Sequence, residues 1–86
     1  MYSIVYDKKA VKDIPKLKVA KLDSKASTLI DLIRENPYQA PPPFQTLQGD
    51  LQGAYSRRIN LKHRLVYEII GEQTVKIISM WTHYEF

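Results

Sequence analysis

Between Gln45 and His63 the chain reads QTLQGDLQGAYSRRINLKH and runs straight into Arg64-Leu65-Val66-Tyr67. The order is turn, strand, tight turn, strand, with Gly49 and Gly53 as punctuation. β-Branched and alternating residues predict strands over 54–60, 63–70 and 74–82. Leu61-Lys62 stands where the first hairpin turns, without the Asn-Gly chemistry such turns favour; Gly71-Glu72 is the better turn. In a strand from His63, Arg64, Val66 and Glu68 share one face while Leu65, Tyr67 and Ile69 share the other. The second set is more apolar and should meet the core. Arg64 is then left on the open face, either gripping phosphate oxygens bidentately or paired with Glu68.

The N-terminal half supplies helices. A β-rich run from Tyr2 to Tyr6 precedes Asp7, which can cap a helix from Lys8 with Ala10, Val11 and Ile14 on one face. Pro15 should stop or kink that helix, or open the next. Residues 16–35 form one helical pattern: Leu22, Ala26, Leu29 and Ile33 make a stripe that Val19, Ile30 and Leu32 widen. Lys16, Lys18, Lys21 and Lys25 fall largely outside it and read as a solvated face rather than a nucleic-acid contact. Asn36-Pro37 ends the helix, and Pro41-Pro42-Pro43 makes 38–44 an ordered strap rather than a linker. Strand, helices, then consecutive strands predict an α+β fold, two helices on one face of a small antiparallel sheet.

At 86 residues this is one domain with one core. It has no cysteine, no basic segment ahead of an apolar leader and no apolar run near the ~18 residues of a membrane span, so a cytoplasmic location is expected. Thirteen Lys and Arg against nine Asp and Glu leave +4, which favours a polyanionic partner only as much as an inert basic domain. Position is more telling. Arg57, Arg58, Lys62 and His63 cluster with Arg64 at the hairpin and are the candidate RNA contacts. Tyr55, Tyr67, Trp81, Tyr84 and Phe86 offer rings; one or two exposed beside arginines would stack bases. His83, between Trp81 and Tyr84, suits general acid work because imidazole titrates near neutrality, whereas His63 reads as structural or phosphate-positioning. Zinc-ligand spacing, a Gly-rich phosphate loop and a nucleophile elbow are all missing from the sequence.

The run from Leu47 to Asn60, LQGDLQGAYSRRIN, followed by His63-Arg64-Leu65-Val66-Tyr67-Glu68 and the terminal His83-Tyr84, closely resembles the Txe/YoeB toxins of the RelE/ParE superfamily. The resemblance covers nearly the whole chain in element order and implies a RelE-like fold. It implies a ribosome-dependent mRNA endonuclease, the toxin half of a toxin–antitoxin pair, cutting in the ribosomal A site without metal or cofactor. In that chemistry the 2′-hydroxyl attacks its adjacent phosphate, which needs a base, a cation on the phosphorane and an acid for the leaving oxygen. Position by position, Arg64 matches the phosphate-stabilising arginine, His83 the acid, Tyr84 the tyrosine that places substrate, and Arg58 a second RNA-backbone arginine. Gln45 departs from the pattern, standing where the family has its glutamate base; an amide orients a hydroxyl but does not take its proton. The lysine often found at Gln48 is also missing. The alternative is therefore a weakened or inactive toxin-fold module that binds ribosome or antitoxin, and a gyrase-directed relative is disfavoured by His83-Tyr84. Implied partners are an acidic YefM/Axe-like antitoxin, the ribosome with its mRNA, and a second copy in a homodimer.

Overall fold

A computed structural model describes residues 1–83, His83 by its backbone only. The order is β1 (Ser3–Tyr6), α1 (Lys8–Val19), α2 (Asp23–Glu35), β2 (Gln45–Thr46), a 3₁₀ turn (Gly49–Leu51), β3 (Ala54–Arg58), β4 (His63–Gly71) and β5 (Thr74–His83). The sheet order is β1-β5-β4-β3-β2. Three of the four pairings are antiparallel, as expected, but β1 lies parallel to β5, Ser3 opposite Thr74 through Tyr6 opposite Ile77. The sheet is thus mixed, because the first strand returns to the last across the helices. No helix among the described residues is long and apolar enough to cross a membrane.

Asp7 begins α1 as expected: its carboxylate accepts the Lys9 amide at 3.0 Å, satisfying one of the free N–H groups of the first turn. The bond from the Lys9 amide, and after it the nearby Lys76 and Lys8 ammonium groups, hold the Asp7 carboxyl below its usual range. Pro15 does not stop the helix, which continues to Val19. The bond it forfeits is to the Val11 carbonyl, and both residues are exposed, so water can serve that oxygen.

The single helix expected over 16–35 is broken at Ala20–Leu22 by a Schellman cap. The Leu22 amide reaches the Leu17 carbonyl at 2.8 Å and the Lys21 amide reaches Lys18 at 3.1 Å, with Lys21 at φ +60°. A lysine there pays the steric penalty that glycine escapes. Lys21→Gly is therefore expected to stabilise the fold by about 1 kcal/mol, raising Tm by about 4–8 °C in a domain of this size. Thermal unfolding followed by circular dichroism checks this; an unchanged or lower Tm would show that the cap carries no such strain.

The break lets both helices lie over one sheet face. Ala10 and Leu17 of α1 and Ala26, Ile30 and Ile33 of α2 meet Leu65, Tyr67, Val75, Ile77 and Met80. The alternation read from β4 holds, since Leu65 and Tyr67 are core while Arg64 and Val66 occupy the other face. Burying each large apolar side chain contributes roughly 1.5–3 kcal/mol before entropy is counted, so this seam is the main stabilising term. One polar contact fastens it: the buried Asp13 carboxylate accepts the Met80 amide at 3.0 Å and lies 3.5 Å from the Lys16 ammonium. This falls where the β4–β5 register shifts, so a helix side chain serves an amide that the irregular ladder releases.

The first hairpin solves its turn without glycine. The Asn60 side-chain oxygen accepts the amides of Lys62 at 2.9 Å and His63 at 2.7 Å, an Asx turn in place of the expected Asn-Gly geometry.

Candidate active-site cleft

Strand register gathers the site. Gln45 faces Ser56 across β2–β3, Ser56 faces Val66, Arg58 faces Arg64, and Arg64 faces Thr82. Facing partners share a side of the sheet, so Gln45, Ser56, Arg58 and Arg64 lie together on the side away from the helices. A cleft of about 290 Å³ opens there, lined by Pro42, Pro43, Gln45, Arg58 and Arg64. Arg64 is only 5% exposed, and its Nη1 donates to Ser56 Oγ at 3.1 Å. That bond fixes the guanidinium at the cleft's base, while Arg58 is exposed at its edge. Ser79 and Thr82 hydroxyls, hydrogen-bonded to each other, continue the polar face along β5. Two guanidiniums in a concave site with proline walls attract an anion and present planar forks to phosphate oxygens. No metal is needed to place that charge.

Arg57 corrects the sequence reading. Expected at the RNA surface, it is completely buried. Its neighbour Arg58 faces Arg64, so Arg57, one residue back on the strand, must point to the helix side. There its Nε donates to Tyr67 Oη at 3.0 Å, Nη1 to the Pro42 carbonyl at 2.7 Å, and Nη2 to the Pro37 and Gln39 carbonyls at 3.1 and 2.7 Å. The Phe44 ring covers the guanidinium at 4.8 Å. Tyr67 Oη in turn donates to the Pro37 carbonyl at 2.7 Å. Burial pushes the Tyr67 hydroxyl above the ordinary phenol range, against the pull of Arg57, so it remains a neutral donor and acceptor. The strap is thus wound around one cation. A readable signal existed: adjacent arginines on one strand take opposite faces, and a proline-rich segment offers carbonyls but few donors.

His63 is likewise interior. It is 7% exposed and stacks on Trp81 with ring centroids 3.8 Å apart, so its structural reading stands and its RNA contact is withdrawn. Lys62 is exposed at the hairpin tip. The expected aromatic lining is also displaced: Tyr55 packs edge-on to Tyr38 and Phe44 at 5.9 and 5.5 Å and tilts against Tyr67 at 5.7 Å. Those rings support the strap from the helix side. His83 closes β5 with its backbone opposite His63; its side chain and Tyr84 lie outside the described residues.

This two-helix, five-strand domain, with a basic cleft at the β2–β3–β4 edge, has the RelE-like fold. The family described as "YoeB-like toxin of bacterial type II toxin-antitoxin system" matches residues 6–84. A Toxin YoeB from Synechocystis sp. is 38% identical over 65 residues, covering 76% of this chain and 74% of that protein. The structure of a YoeB/ParE toxin from Agrobacterium tumefaciens superposes with a TM-score of 0.85 at 28% identity, covering 95% of this chain and 99% of that one. The toxin chain of a YoeB-YefM complex from Staphylococcus aureus does so at 0.80 and 31%, covering 98% and 99%. The chain belongs to the YoeB family of type II toxins.

Proposed function

We propose that this toxin is a ribosome-dependent mRNA endonuclease that cleaves by attack of a 2′-hydroxyl on the adjacent phosphate. The observation that supports it best is Arg64, held by Ser56 at the base of a cleft that Arg58 and Gln45 also line. A scissile phosphate in that cleft meets a preorganised guanidinium where charge builds in the phosphorane. Arg58 and Lys62 then track the flanking backbone. His83 supplies the proton to the leaving 5′-oxygen, Tyr84 places the substrate, and Gln45 orients the 2′-hydroxyl without deprotonating it. The partner in the cell is an acidic antitoxin, in keeping with the YoeB-YefM complex of a relative.

The test is 5′-end mapping of mRNA on programmed ribosomes. Arg64→Ala should lower cleavage about 10²-fold while the circular dichroism spectrum is retained. Equal cleavage by both proteins would remove Arg64 from the mechanism. If the wild-type chain binds ribosomes and cuts nothing, the non-catalytic reading of the same fold replaces this one.

A further inference from the structure

The cleft does not carry the chain's net charge. Residues 8–25 hold seven lysines (Lys8, Lys9, Lys12, Lys16, Lys18, Lys21 and Lys25) against Asp13 and Asp23, a balance of +5. The rest of the chain, six Lys and Arg against seven Asp and Glu, comes to −1. Asp13 is buried on the core side of α1, where its carboxylate lies 3.5 Å from the Lys16 ammonium and offsets that one charge of the cluster. All seven lysines are exposed.

The same helix also displays exposed apolar side chains in register. On α1 the residues opposite the core include Val11, Pro15 and Val19, spaced i, i+4, i+8, hence one stripe. Val11 is 52% exposed and Val19 85% exposed. Beside them opens an apolar groove of about 430 Å³ lined by Pro15, Lys16, Val19, Ala20 and Trp81. Trp81 is braced from within by its stack on His63.

We propose that the outer face of α1, with the groove at Trp81, is the seat of an acidic polypeptide segment carrying apolar anchors. The proposal rests on the toxin–antitoxin reading above and names the surface that the partner covers. A phosphate backbone would use the lysines but leave Val11, Pro15 and Val19 in water. An amphipathic acidic segment covers both: its apolar side chains fill the groove and its carboxylates meet the flanking ammonium groups. This surface lies on the helix side of the sheet, and the cleft lies on the other, so a segment seated here leaves the cleft unobstructed.

Hydrogen-exchange mass spectrometry of the full chain, with and without its cognate antitoxin, tests this. Amides of α1 should gain protection on binding. The pair Val11→Ser and Val19→Ser, both at exposed positions, should weaken the complex about tenfold or more. Lys8→Glu with Lys12→Glu and Lys18→Glu should weaken it further at low salt and less at high salt. Ribosome-dependent cleavage by these variants without antitoxin should match wild type. A complex that leaves α1 unprotected and ignores the valine changes overturns the docking face while the toxin–antitoxin reading stands. Failure to form any complex overturns both. Variants that lose ribosome binding but keep antitoxin affinity assign the face to RNA, and the proposal falls.

Discussion

Replacing Arg57 with methionine is expected to remove about 2–4 kcal/mol of folding free energy, a large share of the roughly 5–15 kcal/mol available to a small domain. Methionine nearly fills the volume, so the loss isolates the hydrogen bonds rather than a cavity. The Pro42 and Gln39 carbonyls and the Tyr67 hydroxyl lose their Arg57 donor, and the Pro37 carbonyl keeps its bond from Tyr67. Two of those carbonyl bonds are only part-buried, so water replaces them in part and keeps the cost below that of a fully sealed network. Lysine should recover only a fraction, because one ammonium does not span acceptors that the planar fork reaches from three nitrogens. Urea denaturation provides the measurement. Tyr67→Phe should be less damaging alone, and less than additive with Arg57→Met, since the two side chains share one network. A denaturation midpoint unmoved by Arg57→Met would mean that the strap is held by something else. Cleavage should fall with stability here, as Pro42 and Pro43 wall the cleft and Gln45 follows directly after the strap.

That residue also shows where sequence reading succeeds and where it stops. Period-two alternation separated Leu65 and Tyr67 from Arg64 because hydrophobicity differs sharply between the two faces of β4. The same rule applied to β3 would have sent Arg57 inward, but charge argued for the surface, and a buried guanidinium is justified only by acceptors lying 15 to 20 residues away. Such long-range pairing has no local signature. The helix break at Lys21 was hidden for a related reason: a lysine in the left-handed region leaves no glycine or proline to mark it. His63 turned inward because its stacking partner, Trp81, belongs to a different strand. The cleft itself was more accessible. Gln45, Arg58 and Arg64 came from the family motif, and strand register brings all three to one side.

Gln45→Glu is expected to raise ribosome-dependent cleavage about 10²-fold or more, since restoring a general base typically contributes 10²–10⁴-fold. The gain should sit toward the lower end. A carboxylate at position 45 would share the cleft with Arg58 and Arg64, and their positive charge would draw its pKa down and weaken it as a base. The same attraction has a second consequence, because it places an anion beside two cations in the empty cleft. The variant should therefore bind RNA less tightly than wild type while cutting it faster, separating kcat from KM. With its pKa drawn below the ordinary glutamate value of about 4.3, the carboxyl is already ionised at pH 5, so the gain over wild type should persist from pH 5 to 7. Single-turnover cleavage on programmed ribosomes across that range gives both quantities. If Gln45→Glu cuts no faster than wild type at any pH while Arg64→Ala abolishes cleavage, position 45 does not hold the base, and the 2′-hydroxyl must lose its proton to another group.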